Sequence, residues 1–480
     1  MHRGEAIEDV VIVGAGLAGL ATALGLHRYG NTHMFICWYP RACLVAAPIR
    51  TSLDPLENPI PGFGNSCAAQ ERGEEPGPGV VAGAADGGVR VHGVEERLPG
   101  AGRPRGGRQD QGAASAGAGV RSSPALSPIS PPDRFSRAPT SHCCRLRVMS
   151  SSTGEVAQEL DLTAVQKNRS GPNEIRCVRR DALLQTLEEE LPRGTIRYSS
   201  RIVSIEDGGG VRILRLADGS TLRAKVLIGC DGINSVVAKW LGLAEPSYSG
   251  RMAARGLAHF PDGHGLEPKF LQFIGRGFRS GMRPCNQTDV YWFFTWTPSE
   301  NDKGVIESGS KLKQFVLANL TALKVPPMAL AVIERSETSE VFAVPLRFRP
   351  PLSLLTGSIS KGSVCVAGDA LHPMTPDLGQ GGCAALEDSV VLARCLGKAV
   401  LGDGARSGTE SQRIEEGLRE YAGIRRWRSV ELVATAYVVG FIQQSNNAIG
   451  GFLRDKFLSG FLARRLLKMA EYDCGTLWSC

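Results

Sequence analysis

The 480-residue chain lacks several features that define whole classes of protein. It has no apolar run close to the roughly 20 residues of a membrane-spanning helix, so stable membrane insertion is not expected. Its 13 cysteines include no C-x-x-C spacing, which argues against a metal site or a disulfide framework. A net charge of +7 without a stripe of Lys, Arg and aromatic residues argues against nucleic-acid binding. The first strand pattern follows the N-terminus closely and leaves no room for a signal peptide, so a cytoplasmic location is expected.

Aromatic residues are absent from one long stretch. Between residues 71 and 130 there is no Phe, Trp, Tyr, Met, Cys or Lys, and Gly, Ala, Arg and Pro dominate. Such a composition cannot bury enough apolar surface to offset the entropy of ordering, so residues 38–145 are predicted to be an aberrant, disordered segment. One hypothesis for its origin is a genuine disordered insertion. The other, which we favour because these four residue types share GC-rich codons, is translation in a wrong frame or through an unspliced intron. Sequencing the spliced transcript tests it.

A glycine motif stands at the start of the chain. The apolar strand pattern of residues 7–13 leads into G-x-G-x-x-G, formed by Gly14, Gly16 and Gly19, and then into an Ala- and Leu-rich helix over residues 17–29. In such a motif the first glycine permits the tight turn, the second lets a pyrophosphate approach the backbone, and the third lets the helix pack closely on the strand. The free N–H groups of the helix end face the phosphate, so this motif predicts a dinucleotide site.

The acid that completes this fingerprint is missing. A Rossmann unit places Asp or Glu at the end of its second strand, where the carboxylate holds the ribose hydroxyls. Residues 34–36 have the pattern of that strand, but Cys37 stands where we expect the acid. An unpaired ribose hydroxyl would cost on the order of 1–3 kcal/mol of binding.

Two further strand ends carry glycine and aspartate. The apolar residues 364–367 are followed by Gly368 and Asp369, and the apolar strand that ends at Gly229 is followed by Cys230 and then by Asp231 and Gly232. Ligands bind at the carboxyl edge of a parallel sheet, which is where both carboxylates are expected. A second glycine cluster follows, formed by Gly379, Gln380, Gly381 and Gly382.

Together these motifs resemble the class A FAD-dependent monooxygenases of the aromatic-hydroxylase type, especially the plant members. The resemblance covers residues 1–30 and about 146–480. It implies that Asp369 holds a ribityl hydroxyl of FAD and that Arg180, in an R-x-x-L motif, lies beside the FAD. It implies that Asp231 and Gly232 contact both FAD and the nicotinamide cofactor, and that the glycine cluster presents N–H groups to the flavin ring.

Simpler roles remain open for Arg180, for Asp231 and for His372, which follows Asp369 by three residues. Arg180 begins a predicted helix and could pair with a nearby Asp or Glu. Asp231 could cap the end of its strand. His372, which precedes a proline, could serve only to fix the turn, so it is not assigned a catalytic role.

The predicted fold class is α/β, with a Rossmann-like FAD-binding domain, an antiparallel-sheet substrate domain and C-terminal helices. Within the substrate domain, the aromatic-rich strand 289–296 is expected to pair with a strand over residues 269–274. A C-terminal helix is expected over residues 425–441. The predicted domains are the FAD-binding parts 1–37, 146–245 and 346–395, the aberrant segment 38–145, the substrate-side sheet 246–345 and the helical region 396–480.

The resemblance implies an enzyme that uses NADPH or NADH and O2 to hydroxylate a small organic substrate, such as an aromatic compound, through a flavin peroxide. The missing acid and the aberrant segment leave two alternatives. One is a non-catalytic or impaired flavoprotein remnant, and the other is an FAD-dependent reductase on the same scaffold.

Overall fold

A mostly parallel sheet of eight strands carries the residues of both glycine motifs. This computed structural model describes residues 7–30, 34–37, 141–142, 145–150, 156–161, 176–275, 277–302, 304–306, 308–322, 325–401, 408–444, 469 and 472–477, all within one unit of residues 1–50 and 133–480. The sheet's strands are β1 (Ile7–Val13), β2 (Met34–Cys37), β7 (Ile196–Arg197), β8 (Ile202–Asp207), β9 (Arg212–Leu216), β10 (Thr221–Gly229), β16 (Ser360–Lys361) and β17 (Val364–Val366).

Four parallel strands of this sheet end side by side. The strand order is β16-β17-β10-β1-β2-β7, and β9 and β8 extend the sheet beyond β10. Cys37 is paired with Val13, Val13 with Gly229, and Gly229 with Val366, so the last residues of β2, β1, β10 and β17 form one row. The chain therefore leaves this row at neighbouring points, and the segments after β1, β10 and β17 share one edge of the sheet.

Helices cover the sheet. They are α1 (Leu17–Arg28), α2 (Arg180–Glu189), α3 (Val236–Trp240), α6 (Pro351–Thr356), α7 (Gly381–Leu401) and α8 (Glu410–Gln444). The first helix ends as predicted, with Gly30 at a φ of +87°. It packs closely on α7, where Thr22 Oγ1 donates to Ser389 Oγ at 3.1 Å and Gly25 lies against Ala393.

A second sheet of seven strands is largely antiparallel. Its order is β15-β11-β14-β13-β12-β4-β5. One face, rich in Trp and Phe, forms a core with α4 (Gly309–Ala322) and α5 (Pro327–Arg335). The strands are β4 (Arg145–Ser150), β5 (Val156–Asp161), β11 (Ser247–His259), β12 (Lys269–Gly275), β13 (Phe278–Pro284), β14 (Asp289–Trp296) and β15 (Phe342–Phe348).

Strand β14 does not pair with β12, so that prediction is wrong. Strand β13 lies between them and pairs with both. Its sequence, Phe-Arg-Ser-Gly-Met-Arg-Pro, includes two arginines, a glycine and a proline, so it lacks the apolar alternation of a strand. Burial between two neighbouring strands outweighs this weak local preference.

The long helix α8 also differs from the prediction. It begins at Glu410, fifteen residues before the predicted start, because the charged residues 410–420 are helical as well. Residues 445–468 of the predicted helical region, and most of the segment 38–145, lie outside the described residues. The remaining elements are β3 (Ser141–His142), β6 (Arg176–Cys177) and the 3₁₀ turns Glu300–Asp302, Thr338–Glu340, Gly368–Ala370 and Pro376–Leu378. None of the described helices combines the length and apolar composition needed to cross a bilayer.

Candidate functional site

The three glycines of the first motif have two different roles. Gly14 has a φ of +106°, and a Cβ there would lie 2.3 Å from the carbonyl oxygen of Cys230. A Cβ on Gly19 would lie 1.8 Å from the carbonyl oxygen of Gly14, so this glycine lets α1 approach the strand. Gly16, by contrast, has no atom within 4 Å of its Cβ position. Gly16 therefore faces open space at the N-terminus of α1, where a phosphate could lie against the backbone.

The second motif meets the first at this point. Gly368 has a φ of +61°, and its Cβ position is 2.8 Å from the Cβ of Ala18. The Cβ position of Gly382 is 3.4 Å from a methyl of Leu17. The N-termini of α1 and α7 therefore converge, and both present unpaired N–H groups and a positive dipole end to the same cleft.

Asp369 lies in this cleft. Its side chain is exposed, although both neighbouring residues are buried, and it has no hydrogen-bond or ion-pair partner among the described residues. The surrounding protein nevertheless removes part of its hydration and raises the pKa of its carboxyl, while the positive charges of His372 and Arg180 oppose the rise. Asp369 is thus a carboxylate available to a ligand at the carboxyl end of β17.

Arg180 is close enough to Asp369 to influence this pKa. The helix-start ion pair that could have explained Arg180 is instead made by Arg179, which donates to Asp181 at 2.6 Å and to Asp289 at 3.4 Å. Arg180 is exposed and has no such partner in the described part of the chain. The structure thus brings Arg180 and Asp369 to one side of the cleft.

Asp231 and Gly232, the predicted pair after β10, differ in their roles. The carboxylate of Asp231 accepts hydrogen bonds from the Ser235 hydroxyl and, at 2.7 Å, from the backbone N–H of Val236. Both of its oxygens therefore hold the start of α3. Gly232 has a φ of +77° and open space at its Cβ position, so its backbone remains accessible.

The glycine cluster before α7 forms a turn. Gly379 has a φ of +66° and follows the 3₁₀ turn Pro376–Leu378, and the carbonyl of Gln380 accepts the first helical hydrogen bond from Ala384 at 2.8 Å. Gly381 and Gly382 leave the helix start without side chains, so its N–H groups are accessible.

Cys37 does not occupy the position of the missing acid. A side chain that contacts a cofactor must be accessible when no cofactor is present, yet Cys37 is only 1% exposed. Burial raises the pKa of its thiol to about 11. The placement made from sequence is therefore wrong, because β2 ends with Cys37 inside the core. The next residue, 38, lies outside the described residues.

A buried charge network fixes the loop that carries Asp369, and sequence analysis missed it. Asp388 of α7 accepts hydrogen bonds from the N–H of Gly368 at 2.7 Å, from His372 Nε2 at 2.6 Å and from Arg425 Nε at 2.6 Å. Burial tends to raise the pKa of Asp388, but the charges of His372 and Arg425 outweigh it and lower this pKa to about 2. His372 is fully buried here, which agrees with a structural role. Glu387 of α7 and Arg428 of α8 extend the network.

A second buried cluster connects the other sheet to the glycine cluster. Asp377 accepts hydrogen bonds from Arg251 of β11 at 2.8 Å and from Arg279 of β13 at 3.0 Å. Burial alone would raise the pKa of Asp377. The two arginines outweigh this effect, so the pKa of Asp377 lies below its usual value. Gly440 of α8 leaves the space for this cluster, because a Cβ there would lie 2.2 Å from the Asp377 carboxylate.

The second face of the antiparallel sheet is polar and aromatic. Gly281 lets the rings of Phe270 and Phe293 close over it, with their centroids 6.2 Å apart. Arg283 and Tyr291 are paired on the same face. The Nε and Nη2 atoms of Arg283 are buried and have no hydrogen-bond partner among the described residues. Since buried guanidinium groups are normally paired, Arg283 can bind an acceptor that the protein does not supply.

These observations fit FAD. The open space at Gly16 and the two helix N-termini suit a pyrophosphate, the free carboxylate of Asp369 suits a ribityl hydroxyl, and the N–H groups around Gly381 suit the flavin ring. The fold and the cleft define an α/β protein of the dinucleotide-binding class.

Comparison with known proteins gives the family. The FAD binding domain family matches residues 90–416. Monooxygenase 2 of Arabidopsis thaliana is 50% identical over 311 residues, which cover 63% of this chain and 75% of that protein. Monooxygenase 1 of the same plant is 34% identical over 312 residues, covering 64% and 77%. The chain belongs to the FAD binding domain family and, within it, to the FAD-dependent monooxygenases.

Solved structures agree in fold. Klebsiella pneumoniae HpxO complexed with FAD and uric acid has a TM-score of 0.66 at 19% identity and covers 96% of both chains. A salicylate hydroxylase substrate complex has a TM-score of 0.61 at 16% identity, covering 98% of this chain and 96% of that one. The family match begins at residue 90, inside the segment that the sequence resemblance leaves out.

The glycines of the first motif allow a matched test. Gly16→Ala places a methyl group in the open cleft, so FAD affinity should fall by about tenfold or more, while apoprotein stability changes little. Gly19→Ala places a methyl group against backbone, so it should destabilise the apoprotein by about 1–3 kcal/mol. Fluorescence titration with FAD and urea unfolding measure the two effects. Equal FAD affinity in Gly16→Ala and the wild type would contradict the placement of the phosphate.

Asp388→Asn should destabilise the protein by about 3 kcal/mol near neutral pH, because His372 and Arg425 lose their buried counter-charge. The folded pKa of about 2 lies below the ordinary value of 3.8, so the stabilisation by this carboxylate is complete above that value and is lost as pH falls towards 2. The difference in unfolding free energy between wild type and variant should therefore shrink over that range.

Glu415→Gln is the control, since it removes an exposed α8 ion pair with Arg419. It should change stability by less than about 0.5 kcal/mol. Urea unfolding at several pH values measures all three proteins. A gap for Asp388→Asn that stays constant down to pH 2 would show that the charge of Asp388 is not responsible.

Proposed function

We propose that this chain is an NADPH- or NADH-dependent hydroxylase of a small organic substrate that carries an anionic or strongly hydrogen-bond-accepting group. One observation supports the proposal most directly: the open backbone at Gly16 and the free carboxylate of Asp369 lie in the same cleft. FAD bound there would, once reduced by the nicotinamide cofactor, supply the activation of O2 for insertion of one oxygen atom into the substrate.

The residues around the cleft would divide the binding of FAD. Gly16 and the start of α1 would hold the pyrophosphate, and Asp369 would hold a ribityl hydroxyl with Arg180 beside it. The N–H groups at Gly381 and Gly382 would stabilise negative charge on the flavin ring. The accessible backbone at Gly232 would contact FAD or the nicotinamide cofactor, whereas Asp231 would act mainly by holding α3.

The polar face of the antiparallel sheet would hold the substrate. Arg283 offers buried N–H donors that lack a protein partner, and Tyr291 lies opposite it. The rings of Phe270 and Phe293 offer flat apolar surface on the same face. This combination suits a planar molecule with a carboxylate, an enolate or a carbonyl oxygen, and the enclosing sheet would exclude water from it.

The sheet face supports proposed boundaries as well. Residues 246–345 would form the substrate-side domain, and residues 1–37, 146–245 and 346–395 would form the FAD-binding domain. Strands β4 and β5 depart from this division, because they belong to the antiparallel sheet, where β4 pairs with β12. A cytoplasmic location remains a prediction.

The first test is the flavin content and nicotinamide oxidation of the purified full-length chain. We expect a yellow protein that FAD at about a hundred times its Kd stabilises by roughly 2.7 kcal/mol. We also expect substrate-stimulated NAD(P)H oxidation, with one oxygen atom from labelled O2 in the product. A colourless protein that does not respond to FAD would identify a remnant. Nicotinamide oxidation without oxygen incorporation would identify a reductase.

Arg283→Gln tests the substrate face. Loss of a charged hydrogen bond should raise KM for an anionic substrate by about 10- to 100-fold, with FAD content unchanged. Arg347→Gln, at an exposed position on β15 of the same sheet, is the control and should leave KM unchanged. Steady-state kinetics and flavin absorbance measure both variants. An unchanged KM in Arg283→Gln would remove Arg283 from the substrate site.

A further inference from the structure

Two cysteines from distant parts of the chain face each other beside the candidate substrate face. Cys177 ends β6, directly before the segment that carries Arg180, and Cys285 follows β13, two residues after Arg283. Their Sγ atoms are 3.4 Å apart, and both side chains are buried. The cysteines are 108 residues apart in sequence, so only the fold brings them together.

The surroundings hold the two segments in place. Arg179 forms an ion pair with Asp289 at 3.4 Å, which joins the same two segments a few residues away. The backbone N–H of Cys285 donates to the carbonyl of Asp289 at 2.8 Å, and the Asn286 side chain accepts hydrogen bonds from the backbone of Thr288 and Asp289. Since a disulfide needs a sulfur separation of about 2.05 Å, the sulfurs must approach by only about 1.4 Å.

We propose that Cys177 and Cys285 are a redox-active dithiol that hydrogen peroxide converts reversibly into a disulfide. The sulfur of Cys177 attacks peroxide, which breaks the O–O bond and gives a sulfenic acid and water. The Cys285 sulfur then displaces hydroxide from that sulfenic acid, forming the S–S bond and a second water. Overall, two thiols lose two electrons and two protons, and one peroxide becomes two waters.

The environment makes Cys177 the attacking group. The hydrogen bond between the two sulfurs lowers the pKa of Cys177 to about 7. Burial opposes this change, and the positive charge of Arg283 adds to the lowering. The same hydrogen bond and burial raise the pKa of Cys285. Since the thiolate is the nucleophile, oxidation should begin at Cys177, and Cys285 should act as the resolving thiol.

The inference does not depend on the proposed substrate reaction, and its readouts do not use hydroxylase activity. The full-length protein is treated with hydrogen peroxide, blocked with a thiol-alkylating reagent, digested and mapped by mass spectrometry. We expect a peptide pair joined through Cys177 and Cys285 that disappears after dithiothreitol. Recovery of Cys177 as a free thiol, or joined to Cys143 or Cys144, would overturn the proposal.

Two single variants test the order of the steps. In Cys285→Ser, Cys177 should stop at the sulfenic acid and react with dimedone. In Cys177→Ser, Cys285 should remain unlabelled. Cys474→Ser, which removes a half-buried free thiol nearly 200 residues further along the chain, should form the disulfide like the wild type. Equal dimedone labelling of Cys285 in Cys177→Ser would contradict the assigned roles.

The melting temperature provides a second readout. A disulfide that closes so long a loop constrains the unfolded chain, so peroxide should raise the melting temperature of the wild type by several degrees. Dithiothreitol should reverse the rise, and neither cysteine variant should show it. The same shift in Cys285→Ser would show that another oxidation causes it.

Discussion

A buried carboxylate, Asp388, holds the turn that carries Asp369. It accepts a hydrogen bond from the backbone N–H of Gly368 and binds two cationic side chains, His372 and Arg425. The turn that exposes Asp369 is therefore attached to α7 and α8 at once. This attachment helps to keep the turn against Ala18 of α1, as do the hydrogen bonds that Arg349 donates to the carbonyls of Ala370 at 3.0 Å and Leu371 at 2.9 Å. The position of one exposed carboxylate thus depends on the burial of another.

The parallel sheet could be predicted from sequence because its signals are local. A continuous apolar strand followed by G-x-G-x-x-G was sufficient to predict β1 and α1. Strand β13 escaped prediction because burial between neighbours outweighs its composition. The start of α8 has an apolar stripe of Ile414, Leu418 and Tyr421 at helical spacing, and the prediction from sequence missed it.

The same difference between local and long-range signals applies to the residues of the candidate site. Glycines and aspartates at strand ends have signals that lie within a few residues of each other, so Gly16 and Asp369 could be selected as candidates. No local pattern selects Asp388, Arg425 and Asp377, because their partners lie far away in the chain. None selects Arg283 either, because only the fold shows that its N–H groups are buried without a protein partner. An R-x-x-L motif was sufficient to select Arg180, but only the fold shows that the neighbouring Arg179 makes the local ion pair. Cys37 was misplaced because a strand pattern does not show which face a terminal side chain takes.

The helix α8 links both buried charge clusters. Arg425 contacts Asp388 near the parallel sheet, and Gln444, at the end of the same helix, accepts a hydrogen bond from Arg251 of the other sheet at 3.2 Å. Nineteen residues of α-helix set these contacts about 28 Å apart. The distance between these two contacts is therefore set by the number of helical turns between Arg425 and Gln444. A single inserted residue between Arg425 and Gln444 would rotate one contact by about 100° relative to the other. Evolution can alter the side chains along this helix much more easily than its length.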